Sequence, residues 1–424
     1  MTATEQKIQL DFAAAAERLK SVVRHTPLQY NQNLSDRFGC NVWLKREDLQ
    51  LVRSYKIRGA YNLMGHLLQR SPLGPKAELM KGVVCASAGN HAQGFAFSCR
   101  KMEVRGVVFM PVTTPRQKIK QTRMFGKEYV EVELVGDNYD ACSAAAQAFA
   151  QQNGMTFIPP FDHARIIEGQ GTVGLEIFAK LPDPDFVFLP VGGGGLASGV
   201  GTCLKNLRPQ VKIIGVEPEG APSMSEAIRT GQPVVLPEID RFIDGAAVKR
   251  VGDLTFSICK DLLDDVVLAP EGQVCSVILK LYNEEAIVVE PAGALSIAAL
   301  HQYADKIKGK NVVCVVSGSN NDIDRMPEIK ERSLIFEGLK HYFLIRFAQR
   351  PGALKEFVNN VLGPTDDITR FEYIKKTKKE SGPALVGIEV QRPADNEALK
   401  RKMWIYQIDF TEINRDDKLF GYLV

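Results

Sequence analysis

The chain has 424 residues, 45% of them hydrophobic and 24% charged, with 53 lysines and arginines against 50 acidic residues for a net charge of +3. That is an ordinary globular composition with room for about two to three domains, and its basic residues are spread along the chain, which argues against a nucleic-acid or membrane partner and for a small-molecule one. No apolar run approaches the ~18 residues of a membrane span, the N-terminal MTATEQKIQLDFAAAAERLK has no signal-peptide apolar core, and the eight cysteines stand singly without a C-x-x-C pair. They read as reduced core residues of a cytoplasmic protein, not as disulfides or a zinc site.

After an amphipathic N-terminal helix the first β-rich run is NVWLKRE (41–47), followed by RSYKIRGA (53–60). Ser54 is a good N-cap there, so a helix is expected from Tyr55 with Lys56 in its first turn. A cation is disfavoured at the positive end of a helix dipole, and burial would lower its pKa further. Lys56 is therefore a candidate nucleophile, against the alternative of a solvated surface lysine.

The strand GVVCASA (82–88) leads into a small-residue turn, CASAGNHAQG. Backbone donors at Ser87, Ala88, Gly89 and Asn90 suit a carboxylate, and the Asn90 amide can donate and accept. His91 invites a general-base reading, but no Asp lies nearby to orient it, and a histidine after Asn at a helix start is more often structural. Strands RGVVFMP (105–111) and YVEVELV (129–135) and a helix over 138–154 follow, then DFVFLPV (185–191).

The next turn, Gly192-Gly193-Gly194-Gly195-Leu196, precedes a helix and presents backbone N–H groups to an anion. Gly192-x-Gly194-x-x-Ala197 also fits a dinucleotide fingerprint, with Glu217 at the end of KIIGVEP (212–218) as the ribose-binding acid. A nicotinamide dehydrogenase is thus an alternative, though it leaves Lys56 unexplained. The last strand of this region, NVVCVVS (311–317), ends at Ser317, which offers a hydroxyl in VVSGSNND.

Buried strands separated by helices indicate an α/β fold with largely parallel sheets. After Asn321 the texture becomes charged, and a distinct module begins near Lys340. HYFLIRFA (341–348) is a strand, and Pro351 opens a helix whose Leu354, Phe357, Val358, Val361 and Leu362 should form one apolar face. DITRFEYIKK, a turn at KKESG, PALVGIEV, the helix ADNEALKRKMW and a final strand in IYQIDFTEI complete a βαββαβ, ferredoxin-like α+β unit of about 85 residues. It holds no plausible nucleophile and base, so binding or assembly is its expected role.

RSYKIRGA, CASAGNHAQG, VGGGGLASG, DGAAV (244–248), VVEPAGA (288–294) and VVSGSNND together resemble the fold-type II pyridoxal phosphate enzymes, and within them the threonine ammonia-lyases. The resemblance covers residues 1–325 as a catalytic domain, with a small subdomain over about 54–155 inserted in a large one. A linker over 326–339 is expected, then an ACT-like regulatory domain over 340–424 similar to that of the biosynthetic, isoleucine-pathway enzymes. It implies that Lys56 carries pyridoxal 5'-phosphate and that Asn90 meets the ring hydroxyl. It further implies that Gly192 to Leu196 cradle the phosphate, Ser317 faces the ring nitrogen, and Ser87 to His91 bind the substrate carboxylate.

The implied reaction converts L-threonine, and also L-serine, to a 2-oxo acid and ammonia. A serine dehydratase of the same family is the nearest alternative. Serine racemases carry a second serine in the substrate loop where this chain has Ala88, so racemisation should be poor. Some relatives bind a cation through positions matching Glu217, Ala221 and Ser223; Ser223 in place of an acid argues against a divalent ion and leaves a monovalent one open. Isoleucine is the implied allosteric inhibitor, with valine as its antagonist, and a dimer or tetramer is expected. A non-catalytic amino-acid sensor built on the tail is the remaining alternative.

Overall fold

A computed structural model describes residues 9–70, 81–373 and 381–423. The chain divides into two compact units, Met1–Ile323 and Asp324–Val424.

The first unit contains two sheets. The larger is assembled from β1 (Leu28–Tyr30), β2 (Asn41–Arg46), β7 (Phe186–Pro190), β8 (Lys212–Pro218), β9 (Asp265–Ala269) and β10 (Asn311–Val316) in the order β1-β2-β10-β7-β8-β9. Only β1 runs antiparallel; the other pairings are parallel. The smaller sheet is built from β3 (Val83–Ala86), β4 (Gly106–Met110), β5 (Val130–Leu134) and β6 (Thr156–Phe157), all parallel, in the order β5-β4-β3-β6. Every strand expected from the apolar runs is present. The three that were not expected are β1 and β6, too short to show periodicity, and β9, an edge strand that begins on an acid.

Helices pack on these sheets, so most of their strands are buried and largely apolar, whereas β5 alternates and leaves Glu131 and Glu133 exposed. Val187, Leu189, Val200, Leu204, Ile213 and Val313 form the core of the large sheet. Cys85, Phe95, Val108 and Met110 pack on one face of the small sheet, and Val84, Val107, Phe109 and Cys142 on the other. All eight cysteines are buried and free. Among the described residues no helix is long and apolar enough to cross a membrane.

The second unit is a four-stranded antiparallel sheet of β11 (Lys340–Ala348), β12 (Asp367–Tyr373), β13 (Ser381–Glu389) and β14 (Asp409–Glu412) in the order β12-β13-β11-β14. Helices Ala353–Asn360 and Pro393–Ile405 supply the expected βαββαβ order, and Phe343, Ile345, Phe357, Val386, Leu399 and Met403 form its core. Residues 378–380 of the expected KKESG turn lie outside the described residues.

Two expectations for this region need correction. The stretch expected as a linker carries the helix Met326–Phe336. Ile329 and Ser333 on it are buried, and Glu331 accepts from Lys340 Nζ at 2.6 Å and Tyr342 Oη at 2.5 Å, so the segment is fastened to β11. In the helix Ala353–Asn360 the apolar face is narrower than the sequence suggested: Phe357 and the following Val361 are buried, but Leu354 and Val358 are exposed. The helix is only about two turns long, and the i, i+4 pair Leu354 and Val358 forms a second stripe.

Candidate active site

The site residues sit beyond the carboxyl ends of parallel strands, where open α/β sheets place ligands. β2, β10 and β7 are neighbours in the large sheet, and the segments after them carry Lys56, Ser317 and Gly192; β3 of the small sheet leads to Ser87. Two contacts tie the first of these together: Ser54 bridges to Gly318, and Tyr55 N donates to Ser317 O at 3.2 Å.

Lys56 is the first residue of the helix Lys56–Arg70. Ser54 does not cap it; its hydroxyl is buried without a hydrogen-bond partner. The Lys56 ammonium donates to Pro160 O at 3.0 Å and lies 5.4 Å from the centroid of the Tyr55 ring. Burial pushes its pKa down to about 8 against the opposing pull of the Glu290 carboxylate. An amine in this state is a competent nucleophile near neutral pH.

Gly192 to Gly194 turn from β7 into the helix Gly195–Leu207, whose first-turn N–H groups have no intrahelical acceptor. A Cβ at Gly192 would lie 2.9 Å from the Ala246 carbonyl oxygen, one at Gly193 would enter the Phe161 ring at 2.3 Å, and Gly194 has φ +89. Only glycine fits these positions as they stand, so the run exposes backbone donors in a close-walled cradle that suits a phosphate. Thr255 Oγ1 steadies it by donating to Gly193 O at 2.6 Å.

Ser87, Ala88, Gly89 and Asn90 are half-buried, with Gly89 N donating to Ser87 Oγ at 3.2 Å. Asn90 opens the helix Asn90–Met102 and makes the contact between the two sheets that sequence reasoning missed. Its Nδ2 donates to Glu290 Oε1 at 2.5 Å, and its Oδ1 accepts from Asn320 Nδ2 at 2.6 Å. Asn320 is itself anchored by donating to Val52 O at 2.9 Å. Burial raises the Glu290 carboxyl to about 7, helped by the nearby Asp244 and opposed by Asn90. Both residues lie in stretches singled out from the sequence, VVEPAGA and VVSGSNND, and the one available signal was an acid directly preceding a helix-opening proline at Glu290–Pro291.

Ser317 is 2% exposed and donates to Ala292 O at 3.2 Å. No acid takes its place at the end of β10.

His91 does not join the loop that could receive a carboxylate. It is buried, its Nε2 faces Ile158 O at 3.0 Å, and burial followed by the Lys56 charge pushes its pKa down to about 3. A neutral ring donating to that carbonyl is a structural strut between the helix Asn90–Met102 and the segment after β6.

Glu217 is likewise turned inward. It is fully buried and accepts from Met224 N at 2.6 Å and Ser225 N at 2.8 Å, capping the helix Ser223–Thr230. Ser223 Oγ donates to Val248 O, and Ala221 is buried beside it. A ribose-binding acid must face an open crevice, so the dinucleotide reading fails at this residue.

The described residues hold no cluster of three or more metal-ligating side chains. The cradle, the lysine and the neutral strand-end hydroxyl fit one group in common, a phosphate-bearing aldehyde cofactor.

Comparison with known proteins agrees with that chemistry. Residues 19–318 match the model of the pyridoxal-phosphate-dependent enzymes. The chain belongs to that family. Residues 331–423 match the C-terminal regulatory domain of threonine dehydratase. The biosynthetic L-threonine dehydratase IlvA of Halalkalibacterium halodurans is 55% identical over 420 residues, covering 99% of this chain and all of the relative. Its Bacillus subtilis counterpart is 54% identical over 97% of this chain and 96% of its own length. Among solved structures, processed threonine deaminase isoform 2 from Solanum lycopersicum superposes with a TM-score of 0.71 at 40% identity, over 76% of this chain and 87% of that one. Maize serine racemase gives 0.69 at 26% identity, over 76% and 96%.

Proposed function

We propose that the protein is a pyridoxal-phosphate-dependent threonine ammonia-lyase whose second unit regulates it. The observation that carries this reading is the Lys56 amine, lowered to about 8 by burial and set at the strand ends that also carry the glycine cradle and Ser317. The full-length similarity to biosynthetic threonine dehydratases supports the substrate.

Bound pyridoxal phosphate supplies an electron sink that acidifies the Cα–H of an amino acid joined to it and allows a β-hydroxyl to depart. The chain's own residues then do the following. Lys56 would hold the cofactor through Nζ, and its free amine would be placed to take the Cα proton of a bound amino acid at that atom. The amides of Gly192 to Leu196 bind the phosphate. Backbone donors of Ser87 to Asn90 orient the substrate carboxylate, with Ala88 offering no acid to the opposite face. Ser317 would offer the ring nitrogen a neutral hydroxyl and no carboxylate, a pairing that would favour loss of the β-group. Loss of the Cα proton and the hydroxyl as water, then hydration of the released enamine, yields 2-oxobutanoate and ammonia.

Isoleucine as inhibitor, valine as its antagonist, a cytoplasmic location and a dimeric or tetrameric assembly complete the proposal. The test is 2-oxobutanoate release from L-threonine by the purified protein, with L-isoleucine titrated into the same reaction. Release that isoleucine suppresses and Lys56→Ala abolishes is the expected result. Turnover that survives Lys56→Ala overturns the chemistry, and release indifferent to isoleucine overturns the regulatory assignment.

A further inference from the structure

Glu290 has no role in the mechanism above, yet it is a carboxylate only 6% exposed at the meeting point of the two sheets. Its Oε1 accepts from Asn90 Nδ2 at 2.5 Å, across 200 residues of chain. The opposite end of the same amide is occupied by Asn320, which is in turn fixed on Val52 O. An Asn side chain gripped by an acceptor on its nitrogen and a donor on its oxygen has one orientation, because a flip would set donor against donor and acceptor against acceptor. One N–H of Asn90 remains for a ligand.

Further packing holds Glu290 where it is. Its backbone N donates to Gly318 O at 3.2 Å, its backbone oxygen accepts from Gly293 N at 2.9 Å, and a Cβ on Gly318 would lie 2.3 Å from its Oε1. The carboxylate is therefore rigid before any ligand arrives.

We propose that Glu290 is a positioning residue that fixes the Asn90 amide toward the cofactor ring hydroxyl and sets the electrostatic state of that contact. This rests on the pyridoxal phosphate reading of the site. Four ionisable groups face Glu290: Lys56 and Tyr55 from the segment after β2, Asp244 from the DGAAV loop, and Lys118, which is paired with Asp244. With burial dominant and Asp244 adding to it, the carboxyl titrates at about 7. A change of charge at one hydrogen bond's remove from the ring hydroxyl should register in the absorbance of the bound cofactor.

The test uses full-length protein loaded with pyridoxal phosphate, as wild type, Glu290→Gln and Glu290→Ala. Absorbance spectra are recorded across about pH 5.5 to 9, bracketing the titration, and cofactor affinity is measured by fluorescence titration of the apoprotein. Wild type is expected to show a spectral transition near neutral pH. Glu290→Gln keeps an acceptor for Asn90 but cannot ionise, so it should lose that transition while holding affinity within about threefold. Glu290→Ala leaves the amide unheld and should weaken affinity on the order of tenfold. The proposal is overturned if Glu290→Gln keeps the transition at the same midpoint, or if Glu290→Ala matches wild type in spectrum and affinity. Should the alanine variant not fold, the glutamine titration decides alone. A wild-type protein with no Lys56-dependent chromophore would instead remove the underlying reading, a separate outcome.

Discussion

Replacing Arg58 tests how the Lys56 helix is held. Arg58 lies two residues after Lys56 and is fully buried. Its guanidinium donates to both oxygens of Glu47 at 2.8 and 2.9 Å, both oxygens of Glu176 at 2.7 and 2.9 Å, and Thr172 Oγ1 at 3.0 Å. Lys45, also fully buried, sits 2.5 Å from Glu176 but 4.0 Å from Glu47. The cluster holds two cations and two carboxylates. Arg58→Met would leave it one charge negative, with Glu47 the stranded group, its remaining hydrogen-bond donor being Thr26 Oγ1 at 2.5 Å. Breaking a buried pair by removing one partner costs about 3–5 kcal/mol. At roughly 2–4 °C per kcal/mol for a large domain, the melting temperature of the first unit should fall by about 6–20 °C. Differential scanning calorimetry of the full-length apoprotein reads this directly. Arg58→Lys should fare little better, because an ammonium cannot fork to two carboxylates. A melting temperature within about 2 °C of wild type for Arg58→Met would refute the reasoning, since it would mean the cluster is hydrated or already neutral.

Cofactor loading should follow the free amine of Lys56. A fall from 10.5 to about 8 raises the neutral fraction at pH 7 roughly 300-fold; the rate of chromophore formation with pyridoxal phosphate should therefore rise with pH and level off through about pH 8, and a rate still climbing tenfold per pH unit up to about pH 10 would show an ordinary lysine. Gly193→Ala, whose Cβ would lie 2.3 Å from the Phe161 ring, should weaken pyridoxal phosphate binding by on the order of tenfold or more while leaving pyridoxal, which lacks the phosphate, little changed. Glu217→Ala should uncap the helix Ser223–Thr230 and hollow a buried site, lowering thermal stability by the equivalent of about 2–4 kcal/mol without conferring or removing any nicotinamide binding; a fluorescence titration with NADH checks the second half.

Much of the fold was legible because most strands of the first unit are buried and so stand out as short apolar runs, several of them followed by glycine- or serine-rich turns. Lys56, Asn90, Gly192 and Ser317 stood out as candidates for the same reason: each lies in a segment after a strand, where the backbone turns and small or polar residues collect. The partners of these residues were not. Asn90 meets Glu290 200 positions away and Asn320 230 positions away, and Arg58 meets Glu176 across 118. A hydrogen bond between side chains far apart in the chain leaves no local pattern, since each residue alone is an ordinary polar residue. His91 misled for the opposite reason. Its neighbours in sequence are small and polar, whereas in the fold its ring is buried against the Ile158 carbonyl and within reach of the Lys56 charge.

The glycine turn shows why a motif can fit two ligands and the fold only one. Any strand–turn–helix that receives an anion needs close backbone approach, so dinucleotide and cofactor-phosphate sites share their glycines. The discriminating residue is the acid at the end of the next strand. β8 lies between β7 and β9, and the helix Ser223–Thr230 follows it after a short turn, so Glu217 is covered by the amides it caps. A ribose would require that carboxylate to leave two backbone donors unpaired in the interior, which costs about 1–3 kcal/mol for each. Lys56 and Ser317, in segments that follow strands to the other side of β7, engage their functional atoms among the described residues with single carbonyls. On the proposed reading, ligand chemistry is set on the β2–β10 side of the glycine turn, by an amine and a hydroxyl, and the β8 side serves to build the cradle.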